Sequence, residues 1–408
     1  MLVFAALLGC ASGPPDVVIV LVDTLRADHM GLYGYDLDTT PNIDDWAREG
    51  VVFERHIAQA GYTLPSVSSL MTGMRVSAHG CCVIFEETLA EEHETLAEVF
   101  SQAGYHTRAF SQSYALSEIA PEQGFDAFET LDPTKSADDS GAQLALAIHS
   151  WFDGQDKKPD PRFLYLHFMD PHHPYRAPDG WYGRYDEGYD SAFNGSDLEM
   201  DDLVLDPRSA TAADIDKLNA LYDEEITYLD SLLVDVLERA EEAAGRRGAI
   251  VVLTGDHGEQ FGEHGTFLHK DLYQENIHVP LIVRGAGLSP GEVDDWTQTI
   301  DLLPTLAALT EVTPGTRWQG RDLSSALQAS GGVEAALIHS DHGASVQALI
   351  DPSGLKYIKQ QGREFLFDLN IDPEELMDLS DAMPDEVDRL RGELESLLEA
   401  DALLRPAE

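Results

Sequence analysis

Positively charged residues are scarce in this 408-residue chain, which has 26 Lys and Arg against 74 Asp and Glu and a formal net charge of −48. That balance excludes a nucleic-acid-binding protein that works by neutralising phosphates, so no nucleic-acid partner is expected. The chain is nevertheless 43% hydrophobic and 8% aromatic, which is too apolar for an acidic disordered polymer. We therefore expect a folded protein with a large core, in which an anionic ligand would need a local positive centre such as a metal ion.

Cysteine is rare as well. The chain has three cysteines, Cys10, Cys81 and Cys82. Neighbouring cysteines rarely bridge each other, and Cys10 lies in a segment with a different predicted role. A disulfide framework is therefore excluded, and Cys81 and Cys82 are expected to be ordinary buried thiols.

The apolar run at residues 1–10 is too short to span a bilayer. It ends in Leu7, Leu8, Gly9 and Cys10, and resembles the end of a bacterial lipoprotein signal, although the usual basic segment is missing. We therefore expect residues 1–15 to be a signal and tether that places the protein outside the cytoplasm, as a periplasmic or outer-membrane lipoprotein. The membrane would be contacted only through a lipidated Cys10. A short buried N-terminal strand is the alternative.

Strand-like and helix-like segments alternate from residue 16 to residue 328. The β-branched run at 17–22 predicts a central parallel strand, and the apolar run at 249–254 predicts another. Further strands are predicted at 51–53, 106–110, 163–169 and 280–283, and helices at 41–50, 89–104, 218–236 and 302–309. We therefore expect an α/β catalytic domain over residues 16–328, with a large mixed, mostly parallel sheet sandwiched by helices.

The pattern changes beyond residue 328. Short strand-like runs separated by turn residues lie at 335–338, 346–350, 355–358 and 364–369, and a helical pattern covers 386–398. This predicts a C-terminal subdomain, residues 329–408, with a small antiparallel sheet and a closing helix. Asp341, His342 and Gly343 are expected to form a turn. Residues 179–206 have little periodicity and predict a long surface loop near the ligand, suited to act as a lid.

Polar side chains follow the two apolar strands where ligands bind in open α/β sheets. Asp23 follows the first strand, and Asp256 and His257 follow the strand at 249–254. Either aspartate alone could equally be a cap or turn former. Thr63 stands just before a helix expected to start at Pro65, where free N–H groups and the helix dipole favour an alkoxide or an oxyanion. Thr63 is therefore a candidate nucleophile.

Together these segments make the chain similar to the sulfatase family within the alkaline phosphatase superfamily. Five regions resemble the family's motifs in order, and a sixth resembles its C-terminal strand and turn. They are residues 22–28 (VDTLRAD), 40–53 (TPNIDDWAREGVVF), 63–73 (TLPSVSSLMTG), 168–175 (FMDPHHPY), 254–265 with 279–282 (TGDHGEQFGEHG and VPLI), and 367–374 (FDLNIDPE). The resemblance implies an alkaline-phosphatase-like fold.

The chain also departs from the family's pattern. Thr63 stands where most sulfatases carry the cysteine that becomes formylglycine, and Val67 replaces the signature arginine. Thr24 stands where many relatives have a second metal-binding aspartate, and residues 109–113 lack the usual Lys and His. A threonine with Asp, Asp and His instead resembles the phosphate-handling branches, such as lipoteichoic acid synthases, phosphoethanolamine transferases and nucleotide pyrophosphatases.

The resemblance implies a metal site formed by Asp23, Thr63, Asp256 and His257, with Thr24 beside them. It implies one divalent cation, Ca²⁺ or Mn²⁺ first and Mg²⁺ or Zn²⁺ as alternatives, because the ligand set is mostly oxygen. A second metal is left open, since histidines are available nearby.

Further site residues are expected in the matched motifs and on the loop that follows His257. His172 and His269 are assigned catalytic roles, holding the ester oxygens or protonating the leaving group. His173, His264 and Lys270 are assigned to substrate binding. For each histidine taken singly, a loop or core histidine is an equal alternative.

The function expected from the sequence is hydrolysis of a sulfate or phosphate ester through a covalent Thr63 intermediate. The substrate would be a small molecule or a glycan- or lipid-linked ester. A phosphoglycerol- or phosphoethanolamine-type transferase is one alternative, and a catalytically inactive relative that binds anionic glycans is another.

Overall fold

A computed structural model of the protein describes residues 13–82, 88–113, 123–131, 140–154, 161–185, 191–313, 315, 317–328, 333, 337–342 and 345–405. The predicted lipoprotein tether, with Cys10, lies outside the described residues. Among the described residues, no helix has the length and apolar character that a membrane span requires.

An eight-stranded sheet forms the centre of the described structure, in the order β11-β2-β10-β7-β1-β6-β4-β5. The strands before residue 300 are β1 (Asp16–Val22), β2 (Val51–Phe53), β3 (His56–Ile57), β4 (His106–Ser111), β5 (Ala127–Thr130), β6 (Arg162–Phe168), β7 (Ala249–Gly255), β8 (Gln260–Phe261), β9 (Phe267–Leu268), β10 (Leu281–Gly285), β11 (Gly291–Val293) and β12 (Thr297–Gln298). β1 is parallel to both of its neighbours, β6 and β7, whereas β10 is antiparallel to β7 and β2. The sheet is therefore mixed and mostly parallel, as predicted.

Helices cover both faces of this sheet. They are α1 (Pro41–Ala47), α2 (Thr63–Thr72), α3 (Val76–His79), α4 (Leu96–Gln102), α5 (Ser140–Gly154), α6 (Asp197–Leu205), α7 (Ala212–Ala244), α8 (Gln274–Ile277), α9 (Leu302–Leu309), α10 (Ser324–Leu327) and α11 (Pro384–Ala402). Alternate residues of β1 enter two separate cores, one with α1, α5 and α7 and the other with α2, α4 and α9. Burial on both faces explains the unbroken apolar sequence of β1.

Four helix starts differ from the prediction: α7 begins at Ala212 rather than at residue 218, α11 begins at Pro384 rather than at residue 386, and the other two are those of α4 and α2. α4 begins at Leu96 rather than at residue 89, because Thr95 and Glu98 form a reciprocal capping box that fixes the start. α2 begins at Thr63 itself, two residues before Pro65, so the threonine belongs to the first turn of the helix. All four shifts are local, and the helices exist where they were expected.

The predicted C-terminal antiparallel sheet is present. Its strands are β13 (Ile338–His342), β14 (Val346–Ile350), β15 (Leu355–Gln360) and β16 (Arg363–Asp368), paired in sequence order, and α11 packs against them. The expectation of a turn at Asp341 and His342 was wrong: both lie in β13, because its pairing with β14 continues to His342 and Val346. The domain boundary at residues 328 and 329 remains a prediction.

Two other local expectations need correction. The predicted loop at 179–206 contains α6, whose inner side packs Met200 and Leu203 into the core. Cys81 and Cys82 are free thiols, but only Cys81 is buried, and Cys82 is partly exposed.

Candidate active site

Two adjacent strands bring the candidate carboxylates together. β1 pairs with β7 in parallel register up to Val22 and Gly255, so Asp23 and Asp256 leave the sheet side by side. Both side chains are fully buried. Thr24 follows in the left-handed region, with φ of 57°, and its backbone N–H donates to Asp256 Oδ1 at 3.2 Å. The carboxyl ends of the strands therefore form an acidic site inside the protein.

The Thr63 hydroxyl points into this site from the first turn of α2. Its Oγ1 lies 3.2 Å from His257 Nε2 and 3.4 Å from Asp23 Oδ2. The Nδ1–H of His257 donates to the Gly258 carbonyl at 2.9 Å, which leaves the Nε2 lone pair facing Thr63. The structure therefore brings Asp23, Thr63, Asp256 and His257 together from three separate elements.

Several buried oxygens of this site have no hydrogen-bond partner. Among the described residues, these include Asp23 Oδ1, Thr24 Oγ1 and Asp256 Oδ2. Ligand atoms of Asp23, Asp256 and His257 all lie within 4.8 Å of one another. Unpaired buried carboxylate oxygens are costly unless a cation satisfies them. The donor set, oxygens with one imidazole, therefore fits a divalent cation.

The pKa values of the two carboxylates also favour a cation at this site. Burial raises the pKa of Asp256, and the negative charge of Asp23 raises it further. Burial also acts to raise the pKa of Asp23, but the His167 hydrogen bond and the neighbouring imidazoles outweigh it and lower that pKa. Keeping both groups ionised at neutral pH requires added positive charge at the site.

A histidine cluster borders the carboxylates. The ring of His172 stacks on His173 with centroids 4.3 Å apart and lies 5.3 Å from His269. His269 in turn lies 4.6 Å from the ring of His257. Burial, together with the charge of His172, lowers the pKa of His173 to about 3, so His173 is neutral at pH 7. The structure thus brings three predicted histidines to the site.

His264 and Lys270 stand apart from this cluster. His264 stacks on Tyr273 at 3.6 Å, and its Nε2 lies 3.5 Å from Glu275 Oε1. Lys270 is exposed, and its ammonium forms no ion pair within the described part of the chain. Their assignment to substrate binding remains a prediction.

A second group of possible metal ligands, His264, Glu275 and Glu375, lies near Lys356. The Lys356 ammonium already forms a 2.7 Å ion pair with Glu375 Oε1, and both side chains are fully buried. This lysine supplies the positive charge that a cation would otherwise bring. The group is therefore a buried ion pair with neighbours, and the second metal remains untested.

Sequence reasoning missed two residues of the site. His167 lies in β6, fully buried, with its Nε2 3.3 Å from Asp23 Oδ2. Glu259, two residues after His257, is buried and accepts a hydrogen bond from His269. The strand predicted at 163–169 already contained a histidine near its carboxyl end, and that position was the available signal for His167.

The family model for sulfatases matches residues 15–312. The chain belongs to the sulfatase family. Membership confirms the predicted class, a sulfatase-like hydrolase of sulfuric or phosphoric esters. Members of this family generally use a divalent metal, which agrees with the donor set around Asp23.

Individual sulfatases and a related hydrolase resemble the chain over most of its length. An arylsulfatase of Clostridium perfringens is 24% identical over 452 residues, covering 92% of this chain and 93% of the relative. The fold is similar to that of a phosphonate monoester hydrolase of Agrobacterium radiobacter (TM-score 0.76, 20% identity, 95% and 96% of the two chains). It is also similar to that of a 2-O GAG sulfatase (TM-score 0.79, 20% identity, 95% and 92%). These similarities confirm the predicted fold class.

Proposed function

We propose that the protein is a metal-dependent hydrolase that cleaves a sulfate or phosphate ester through a covalent Thr63 intermediate, with phosphorus esters preferred. The observation that carries this proposal is the convergence of the Thr63 hydroxyl with Asp23, Asp256 and His257. Asp23, Thr63, Asp256 and His257 would hold the cation, with Thr24 beside them. When bound, a divalent cation supplies positive charge that lowers the pKa of a neighbouring hydroxyl and balances the charge of an anionic ester.

Thr63 is suited to act as the nucleophile by its position. It is 8% exposed, whereas Asp23, Thr24 and His257 are fully buried, so an ester can approach the hydroxyl. Thr63 Oγ1 gives up its proton to water and attacks, which forms a bond to phosphorus or sulfur and breaks the bond to the ester oxygen. Water then cleaves the bond to Thr63 and releases phosphate or sulfate.

The departing ester oxygen must gain a proton, and two histidines can provide it. His172 and His269 are partly exposed beside the buried ligands. The His172 Nδ1 is paired with the His173 carbonyl at 2.7 Å, and the His269 Nδ1 is paired with Glu259 at 2.9 Å. With Nδ1 engaged in this way, either ring can act as the acid only as an imidazolium, which donates its Nε2 proton to the ester oxygen.

The preference for phosphorus rests on what replaces the sulfatase signature. Val67 stands where the family carries an arginine, and it is fully buried in the apolar core beneath α2. The nucleophile is a hydroxyl that cannot become formylglycine. Neither feature suits the usual sulfate chemistry of the family, whereas a threonine nucleophile suits transfer of a phosphoryl group.

The proposal is tested by measuring hydrolysis of four p-nitrophenyl esters, namely the phosphate, the phenylphosphonate, the bis-phosphate and the sulfate. The protein is first treated with a chelator, and Ca²⁺, Mg²⁺, Mn²⁺ or Zn²⁺ is then added back. We expect turnover to vanish on chelation and to return with metal, because the ligands are otherwise unpaired. Thr63→Ala should lower kcat by about 10⁴-fold or more, as nucleophile removal does in covalent hydrolases. Acid quenching of the wild type should leave a covalent adduct on Thr63 that mass spectrometry detects.

Thr72→Ala is the matched control, because it removes a buried hydroxyl from the other end of α2, where Thr72 Oγ1 donates to Ser68. It should retain turnover within about tenfold. Turnover that survives chelation would refute the mechanism. Dominant sulfate turnover would refute the preference for phosphorus, and transfer to added glycerol would indicate a transferase.

A further inference from the structure

We propose that Glu259 is a positioning residue for His269, whose ring it holds by Nδ1 so that Nε2 faces the reacting ester. The inference rests on the proposed function in one respect, the binding of an ester beside Thr63. Glu259 lies in a matched motif and His269 was named as a candidate from the sequence, but the contact between them is visible only in the fold.

The carboxylate of Glu259 has both oxygens engaged. Oε1 lies 2.9 Å from His269 Nδ1, and Oε2 accepts a hydrogen bond from the Tyr175 hydroxyl at 2.9 Å. The Glu259 and Tyr175 side chains are fully buried, whereas the His269 side chain is 18% exposed. The carboxylate is therefore an internal anchor, and the ring it holds is at the edge of the protein interior.

The backbone of Glu259 is fixed as firmly as its side chain. Its N–H donates to the Glu275 carbonyl at 3.0 Å, and its carbonyl accepts from Arg26 Nη1 at 2.9 Å. Every polar atom of Glu259 thus has a partner. Such a residue has no freedom to rotate away from His269, so the ring is held in one orientation.

The contact also selects the tautomer of His269. With Oε2 accepting from Tyr175 and Oε1 facing the ring, Glu259 acts as the acceptor and the proton of His269 belongs on Nδ1. Nε2 then lies on the opposite side of the ring from Glu259. The ring is packed 4.6 Å from His257 and 5.3 Å from His172, which are both beside the Thr63 site. The ring therefore stands beside the Thr63 site with its Nδ1 edge turned to Glu259, and we infer that the Nε2 edge is the one that meets the ester.

The tautomer can be measured without activity. Long-range ¹H–¹⁵N spectra of the full-length protein distinguish the two ring nitrogens, and the His269 signals are identified by their loss in His269→Ala. We expect a proton on Nδ1 of His269 in the wild type. In Glu259→Gln, an amide replaces the carboxylate, and we expect the proton to move or the ring to show both tautomers.

A double-mutant cycle on kcat tests the role in turnover. Glu259→Gln and His269→Ala should each lower kcat by about 10- to 100-fold, with KM changed less than about threefold. Because Glu259 acts through His269, the double variant should be no slower than His269→Ala alone. Affinity for Mn²⁺, measured by calorimetry, should stay within about threefold in Glu259→Gln, since that variant leaves the four metal ligands in place.

Glu224→Gln is the matched control, because Glu224 is also a fully buried glutamate but accepts its hydrogen bond from the Tyr185 backbone. It should leave kcat and the His269 spectrum unchanged. Multiplicative losses in the cycle would overturn the proposal. So would an unprotonated Nδ1 in the wild type, a test that holds even if Glu259→Gln does not fold. A wild type without turnover on any ester would refute the proposed function, while the spectra would still test the role of Glu259.

Discussion

His167 ties Asp23, one of the two carboxylates of the candidate site, to the interior of the sheet. Its Nε2 lies 3.3 Å from Asp23 Oδ2, and its Nδ1 lies 3.1 Å from the Tyr165 hydroxyl. Because the Asp23 carboxylate only accepts, His167 must carry its proton on Nε2, and the tyrosine then donates to Nδ1. This chain fixes the orientation of Asp23 before any cation binds.

We predict that His167→Gln lowers the affinity for Mn²⁺ by about 10- to 100-fold, because residues that orient a metal ligand have effects of that size. Isothermal titration calorimetry on the chelated protein measures this directly. His339→Gln is the control, since His339 is an equally buried histidine in β13, and it should bind Mn²⁺ as the wild type does. Equal affinity in both variants would show that His167 does not support the site.

Site residues that directly follow a recognisable strand could be predicted from the sequence, whereas a site residue within a strand could not. Asp23, Asp256 and His257 each follow an apolar run, so their convergence follows from parallel pairing. His167 lies inside an apolar strand, where a histidine looks like a core residue. Its role depends on the register that sets it opposite Leu21, and register is a property of the fold.

At the scale of elements, α11 is fastened to the catalytic part of the chain through one buried carboxylate. Asp401 accepts from Arg75 Nε at 2.9 Å and Nη2 at 2.6 Å, and from Gln319 Nε2 at 2.6 Å. Burial acts to raise the pKa of Asp401, but the Arg75 contacts outweigh it and lower that pKa. The ionised form is therefore the one that stabilises the fold.

We predict that Asp401→Asn lowers the free energy of unfolding by about 3 kcal/mol at pH 7, because it leaves Arg75 without its anion. A pKa that is lower in the folded state gives stability above the unfolded value near 3.8, and this stability is lost as the pH falls below it. The difference between wild type and variant should therefore shrink towards acid pH in urea titrations.

The control for Asp401→Asn is Glu395→Gln, which neutralises an exposed carboxylate on the same helix. It should change the free energy of unfolding by less than about 0.5 kcal/mol. An equal loss in both variants would mean that the general charge of α11, and not the Arg75 contact, governs its stability.

Helices and strands could be predicted where the hydrophobic pattern extends over many residues, but the residues at which they begin and end could not. The apolar face of α7 was read from spaced leucines and valines, and those residues are buried. The start of α4 depends on the capping of Thr95, and the end of β13 depends on its pairing with β14. Both are decided by hydrogen bonds to partners rather than by local composition.

At the scale of the whole molecule, the charge of −48 opposes the compact state. The acidic groups lie mostly at the surface, where salt shortens the range of their repulsion from about 10 Å at 0.1 M to about 3 Å at 1 M. The same surface repels anions at low ionic strength.

We predict that the unfolding temperature rises by several degrees between 0.05 M and 1 M NaCl, because screening relieves the repulsion more than it weakens surface ion pairs. Differential scanning fluorimetry measures it, with sucrose as a control for solute effects that do not involve charge. A constant or falling temperature would show that surface ion pairs such as Arg48 with Asp45 contribute more than the excess charge costs.

The link between Asp401 and Arg75 also has a consequence for biosynthesis. Its two partners are 326 residues apart in sequence. At roughly 5–20 residues per second, translation needs about 16–65 s to proceed from one partner to the other. During that interval Arg75, at the start of α3, lacks its carboxylate partner, so this contact can form only after residue 401 has been synthesised.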